Sequence, residues 1–414
     1  MIDLGIYPGT AELSGDMLSI GGCRIDELAE EYGTPLIVVD EEALRSRARE
    51  YVNAFKSRHE RSEVLFAAKS FPSASVIKVL SQEGCGVDVA SRGELEIALA
   101  AGSAPSRMVL HGNAKRDSDI SEAIGAGVGF VVIDNLDDVE RISRLASKPV
   151  PALLRVSPSV AASTHSAMIT GQDSSKFGIP SYQVADAIAA IRREPLIDLK
   201  GLHAHIGSQV LDLDQFEAEV EALAQYEHFE VYDLGGGLGV RYLSSDVVPS
   251  VDDYAECLVK AMHRYFDQNV QIMVEPGRSM IAKQVVTVYQ VVTVKRSERV
   301  HVAVDGGMSD NLEVSLYGQP FEPAVFNHAD QTELVDIVGQ HCESGDTLVR
   351  DILVRKPSVG DLVVNPVTGA YCYTMRNNYN AALAAPIVFC GGSQSRLAVR
   401  RQVLEELLAR EVLS

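Results

Sequence analysis

The sequence is poor in the devices that mark several classes of protein. Its 414 residues hold six cysteines, Cys23, Cys85, Cys257, Cys342, Cys372 and Cys390. No two form a CxxC pair, so neither a disulfide framework nor a zinc knuckle is suggested, and free thiols are expected. Uninterrupted apolar runs of the roughly 18 residues that a membrane span needs are missing. The start, MIDLGIYPGTAELSG, lacks a basic stretch followed by an apolar core, so no secretory signal is expected and the cytoplasm is the expected compartment. Positive charge is scarce too: 37 Lys and Arg against 57 Asp and Glu leave a formal charge of -20. Such a balance repels phosphate backbones and argues against nucleic acid or an anionic membrane as partner, while a local basic pocket for a small anion stays open. There is no internal repeat beyond strand-helix alternation and no low-complexity tract.

What is present is ordinary globular protein. With 46% apolar and 23% charged residues the chain can bury a sizeable core, and its length suggests one large domain or two. From about Val64 to Arg278 eight short apolar runs recur: VLFAA, GVDVA, MVLHG, FVVID, ALLRV, LKGLHAHI, EVYDLGG and IMVE. Stretches of helical periodicity ending in glycine, such as SASVIKVLSQEG and GELEIALAAG, lie between them. Eight strand-then-helix units predict a parallel (β/α)8 TIM-type barrel, an α/β fold, with an open doubly wound sheet as the alternative. The barrel is favoured because unusual polar residues follow the runs, where the C-terminal strand ends of a barrel gather catalytic groups. After about Ala282 the texture turns to VVTVYQVVTV, HVAVDGG, LVDIVG, DLVVNP and PIVFCGG with turns between them, which predicts a mainly antiparallel β domain. The expected division is 1–33, a segment joining the β domain; 34–282, the barrel; and 283–414, the β domain.

Four features carry chemistry. DLGGGLG, Asp233–Gly239, puts Gly235, Gly236 and Gly237 at a strand end, where bare backbone can wrap an anion; alone it is equally a tight turn. VEPGRS, Val274–Ser279, ends the next run with Glu275, a turn at Gly277 and the guanidinium of Arg278. Phosphate sites in such barrels are built from the loops after strands seven and eight, so the two motifs together suggest one phosphate-bearing ligand. Lys69 closes an apolar run, and a partly desolvated amine there is a nucleophile able to form a Schiff base; the plain alternative is a lysine reaching solvent from a strand end. His203 and His205 share one side of a strand by alternation. No third ligand at a convincing spacing makes them a metal site, so one imidazole is assigned to stacking on a cofactor ring and the other to a hydrogen-bonded core. Amine, glycine cradle and carboxylate in one barrel mouth point to pyridoxal 5'-phosphate, with no metal.

The motifs FAAKS, VDVASRGELEIAL, GLHAHIGSQ, DLGGGLG, EPGRS, VAVDGGMSDN, CESGD and TGAY occur in this order over nearly the whole chain. So ordered, the sequence resembles the diaminopimelate decarboxylases, alanine-racemase-like pyridoxal phosphate enzymes. The resemblance implies a barrel with a C-terminal β domain, an amino-acid substrate losing its α-carboxylate, and a head-to-tail homodimer whose active sites are completed by the partner. By the same resemblance Lys69 is the Schiff-base lysine and His205 the ring-stacking histidine. Ser208, Gly235, Gly236, Gly237, Gly277 and Arg278 lie along the phosphate, Glu275 pairs with the pyridine nitrogen, and Tyr371 reaches cofactor or substrate. Asp88 and Arg155 match positions near the lysine and are equally members of structural ion pairs. Cys342 resembles the proton donor supplied across the dimer, with Glu343 and Tyr317 on the substrate. An acidic Glu275 suits an electron sink for decarboxylation better than racemisation.

One position departs from the family. Where those enzymes carry an arginine four residues before the tyrosine of LYG, gripping the substrate's distal carboxylate, this chain has Glu313 in NLEVSLYG. A carboxylate there turns attraction into repulsion. The expectation is a decarboxylase whose distal-group specificity has moved, toward a cationic, amide-linked or carrier-bound side chain. A racemase and a catalytically silent partner-binding relative are the readings from other classes. The family motifs with Glu275 and CESGD count against the first, and the presence of both Lys69 and Cys342 against the second.

Overall fold

The computed structural model describes residues 2–158 and 175–412. Eight parallel strands close on themselves: β1 (Ser62–Ala67), β2 (Gly86–Val89), β3 (Met108–Leu110), β4 (Phe130–Ile133), β5 (Val150–Ser157), β6 (Ile197–His203), β7 (Val231–Asp233) and β8 (Gln271–Val274). Each pairs with its successor, and β8 pairs back onto β1 with Val274 opposite Val64. These strands fall on the eight apolar runs. Helices such as Ala74–Gln82, Arg92–Ala100, Leu136–Leu145 and Val251–Tyr265 separate them.

Period-two alternation decides which side chains fill the barrel. Leu65, Val109, Leu153 and Val231, from the odd strands, form a packed cluster with Val132 and Met273, the layered filling expected of such barrels. Side chains two residues apart face the same side of a strand. Each strand therefore carries its inward column one step higher, past the apolar plug, into the residues that form the site.

Local capping fixes where these strands stop. After β2, the Ser91 hydroxyl accepts from the Glu94 backbone N–H at 3.2 Å, and the Glu94 carboxylate accepts from the Ala90 N–H at 2.7 Å. This reciprocal cap starts the next helix within two residues of the strand end.

The second compact unit comprises the residues up to Leu44, Arg241–Val247 and Ile281 onward. Its centre is the long strand β9 (Val285–Arg296), which pairs antiparallel with β10 (Val300–Val304) on one side and with Leu36–Asp40 on the other. The strands β11 (Ala324–Phe326), β12 (Thr332–Val338), β13 (Thr347–Arg355), β14 (Leu362–Asn365), β15 (Ile387–Gly391) and β16 (Gln394–Val399) complete it. Pairing is mainly antiparallel; β10 with β12, and Leu36–Asp40 with β15, run parallel. Tyr289, Val291, Val302, Val304, Val335, Ile337 and Val363 are among the residues of its core.

Two of the expected placements shift. LIVVD before a helix reads like a barrel unit, but Leu36–Asp40 hydrogen-bonds to β9 and β15, so the first boundary falls after Leu44 instead of residue 33. The strands Glu12–Ser14, Met17–Ile20 and Cys23–Arg24 make a small sheet of their own and add none to the larger one. Among the described residues no helix is long and apolar enough to cross a membrane.

Candidate active site

All eight barrel strands deliver an ionisable residue at or just beyond their C-terminal ends. They are Lys69, Asp88, His111, Asp134, Arg155, His203, Asp233 and Glu275, from β1 to β8 in order. Asp88, Asp134, Asp233, Glu275, His111, His203 and Arg155 are buried. Within this ring Lys69 Nζ lies 3.5 Å from Asp88 Oδ2, Arg155 lies 3.6 Å from Asp134, and Glu275 lies 2.5 Å from His111 Nε2 and 3.3 Å from His203 Nε2. Lys69 sits in the turn Ala68–Ser70, and its side chain is 45% exposed. It is thus less desolvated than its apolar run suggests, because the strand ends before it.

Burial and neighbours sort the protons. Burial pushes the Asp233 carboxyl well above its usual range and the Glu275 charge adds to this, which favours its protonated form. Burial would raise Glu275 likewise, but the imidazoles of His111 and His203 hold it well below the ordinary carboxylate value. His203 is pushed down to about 3 by burial against the pull of Glu275. His205 is held well below its usual value by burial and then by the Lys69 charge. Its Nδ1 accepts from the Gly236 N–H at 3.2 Å, which leaves the proton of the neutral ring on Nε2.

The glycine loop comes directly after β7. A Cβ on Gly236 would collide with the Glu275 carbonyl oxygen, so only glycine lets these two strand ends approach. Gly235 N–H caps Asp233 Oδ1 at 3.0 Å, and the Gly235 carbonyl accepts from Glu275 N–H at 2.6 Å. Gly277 packs against β1: a Cβ there would stand 3.1 Å from Ala67 Cβ and 3.2 Å from Ser70 Cβ. Beside it the buried Arg278 donates from Nε to Ser208 Oγ at 3.2 Å. Backbone loop, hydroxyl and guanidinium converge as a cradle that could hold a phosphate, next to an amine and a deep carboxylate. The donor set fits pyridoxal phosphate.

The remaining expected residues lie in the β unit. Cys342 and Glu343 are exposed in the loop between β12 and β13, and the Cys342 N–H donates to Asn380 Oδ1 at 3.0 Å. The short helix Glu313–Tyr317 is tied to the same loop by Ser315 Oγ donating to the Gly345 carbonyl at 3.0 Å. Tyr371 takes a left-handed conformation with φ of 66°. Glu313 is 1% exposed and accepts from the Tyr242 hydroxyl at 3.4 Å.

The residues brought together in the barrel also include some that the motifs left unassigned. His111, the fourth residue of MVLHG, lies two residues beyond Val109, and Asp134 and Asp233 lie two residues beyond Val132 and Val231. Alternation alone marks all three as inward, two residues above an apolar plug. His111, His203, Asp233 and Glu275 offer donor atoms within 4.8 Å of one another, a set that sequence spacing does not show, and His205 is not part of it.

Residues 41–282 match the family model described as the pyridoxal binding domain of pyridoxal-dependent decarboxylases. The diaminopimelate decarboxylase of Actinosynnema pretiosum subsp. auranticum is 39% identical, with 99% of this chain and 96% of that protein covered. The chain belongs to the diaminopimelate decarboxylase family. The Bacillus subtilis (strain 168) enzyme is 36% identical over 94% of each chain. The crystal structure of diaminopimelate decarboxylase from M. jannaschii in complex with L-lysine superposes with a TM-score of 0.93 at 28% identity, covering 98% of each chain. The protein is therefore a pyridoxal-phosphate-dependent decarboxylase, and the barrel-plus-β architecture is that of the family.

Proposed function

We propose that this decarboxylase removes the α-carboxylate of an amino acid related to meso-diaminopimelate, and that its preference at the distal end has moved away from a carboxylate. The observation that carries the second half is Glu313. The family's guanidinium is missing at this position, and the carboxylate in its place is buried against Tyr242. A distal carboxylate thus loses its cation, while an amide or ammonium group does not need one.

When bound, pyridoxal phosphate supplies an aldehyde for amines and a ring that accepts the electron pair left by departing CO2. Lys69, with Asp88 beside it, presents the amine that binds the aldehyde. Gly235, Gly236, Gly237, Ser208, Gly277 and Arg278 would hold the phosphate, Glu275 would meet the ring nitrogen, and neutral His205 would lie against the ring. Tyr371, Tyr317 and Glu343 contact the substrate. Cys342, supplied by the partner subunit of a homodimer, would be the group that holds a proton for the α-carbon. The lysine complex of the M. jannaschii relative and the names of the curated relatives support an amino-acid substrate of this kind.

The test compares kcat/KM for meso-diaminopimelate with that for its distal amide and for ornithine and lysine, in the wild-type protein and in Glu313→Arg. Restoring the cation should raise relative efficiency on meso-diaminopimelate at least about tenfold, the scale of one charge-assisted hydrogen bond. Wild-type turnover of meso-diaminopimelate that matches or exceeds the variant's contradicts the shift and makes this a lysine-forming enzyme.

A further inference from the structure

A carboxylate as deep as Glu275 has no reason to stay ionised by itself. Removal from water favours the neutral acid, and the Asp88 carboxylate close by opposes a further negative charge. A protonated Glu275 would be a poor partner for a protonated ring nitrogen. The structure supplies an answer in two rings carried by strands that are not neighbours of each other. His111, just past β3, places Nε2 2.5 Å from Glu275 Oε1; His203, at the end of β6, places Nε2 3.3 Å from Oε2. The imidazoles meet edge to face, with centroids 4.7 Å apart and planes at 64°. One oxygen of Glu275 is thus assigned to each ring, and both histidines are buried.

We propose that His111 and His203 are positioning residues that keep the Glu275 carboxylate ionised and oriented for the ring nitrogen of the cofactor. The inference rests on the reading of Glu275 given above and adds the groups that enforce it. Other charged and titratable groups face Glu275 as well: Asp88 from β2, Arg155 from β5, Asp233 from β7, His205 after β6, and Glu219 from the helix Asp214–Leu223. Four of these carry no fixed positive charge, Arg155 is engaged with Asp134, and the Asp233 carboxyl also reaches the Glu275 side chain, so the two imidazoles are the basic side chains in direct reach of the carboxylate oxygens. A metal ion held by His111, His203, Asp233 and Glu275 is the competing use of the same atoms. Donors around a tetrahedral zinc ion stand roughly 3.3 Å apart, whereas His111 Nε2 and Glu275 Oε1 are 2.5 Å apart, too close for two ligands of one ion.

The test reads cofactor binding, not turnover. The apoprotein is titrated with pyridoxal phosphate and with its 1-deaza analogue, which carries C–H in place of the ring nitrogen. The wild-type protein should prefer the natural cofactor by about 10- to 100-fold, the range of a charge-assisted hydrogen bond. His111→Leu with His203→Leu should bring the ratio close to one, and His111→Gln with His203→Gln, which keep an N–H at the same reach, should retain most of it. An unchanged ratio in the leucine variant overturns this proposal while leaving the cofactor site intact. Failure of the wild-type protein to bind either compound overturns the cofactor reading itself. Should the leucine variants not fold, ring-15N-labelled cofactor in the wild-type holoenzyme decides. A pyridinium shift that persists to pH 9 is expected, and a neutral pyridine shift at pH 7 overturns the proposal, as does stoichiometric zinc in the purified apoprotein.

Discussion

Asp310 turns its own burial into a dependence of stability on pH. It lies in the β unit within the motif VAVDGGMSDN, where burial lifts its carboxyl from 3.8 to about 7, against hydrogen bonds from the Ser309 hydroxyl and the Gly307 N–H. A raised folded-state value means that the associated stability is complete below the unfolded value and is lost as pH rises through the folded one. The wild-type protein should therefore lose stability relative to Asp310→Asn between about pH 4 and pH 7, by on the order of 4 kcal/mol in total. Urea denaturation of the β-unit core at pH 4.5 and pH 8 checks this, and parallel profiles for the two proteins would refute it. Lys69, Glu275 and Arg278 are legible in the sequence as single residues because each breaks an apolar run with a charge. His111 is not, because a lone histidine at a run's end is unremarkable until Glu275 is seen beside it. Glu313 is legible as a departure, but its inward turn depends on Tyr242, which lies 71 residues away in the chain.

At the scale of the element, the site is built from strand ends, and the loops and caps beyond the strands hold those ends in place. Lys115 and Asp138 form a buried ion pair at 2.6 Å with side chains 1% and 0% exposed, and Asp138 also accepts from the Asp134 N–H at 3.0 Å. This ties the loop after β3 to the end of β4. Lys115→Met leaves the Asp138 charge without its closest cation, and a loss of about 3–5 kcal/mol is expected by chemical denaturation. Adding Asp138→Leu should recover part of the loss, and a single variant as stable as wild type would contradict the role. The eight strands themselves are legible in the sequence, since each apolar run is short, ends in glycine or a polar residue, and precedes a helical period. Leu36–Asp40 has the same local signature and belongs elsewhere, because its membership is decided by hydrogen bonds to β9 and β15, far downstream in the chain. Local pattern identifies a strand; only pairing says which sheet it joins.

For the whole molecule, the proposal to test is that a partner subunit supplies the last catalytic group. If the partner subunit's Cys342 serves the barrel of the other copy, mixing Lys69→Ala with Cys342→Ala protomers should restore activity that neither variant has alone, and diluting the wild-type protein should lower activity per protomer. No restoration in verified mixed dimers would place the proton donor elsewhere. The chain's net charge of -20 fits an enzyme that keeps a few of its cations buried at the site, Arg155 and Arg278 among them. Decarboxylation itself is tested most directly by release of labelled CO2 from C1-labelled amino acids by the pyridoxal-phosphate-loaded protein, with Lys69→Ala as control. CO2 in step with amine product, abolished by Lys69→Ala, is the expected result. Retention of the α-carboxylate with exchange of the α-proton would contradict it and make the protein a racemase.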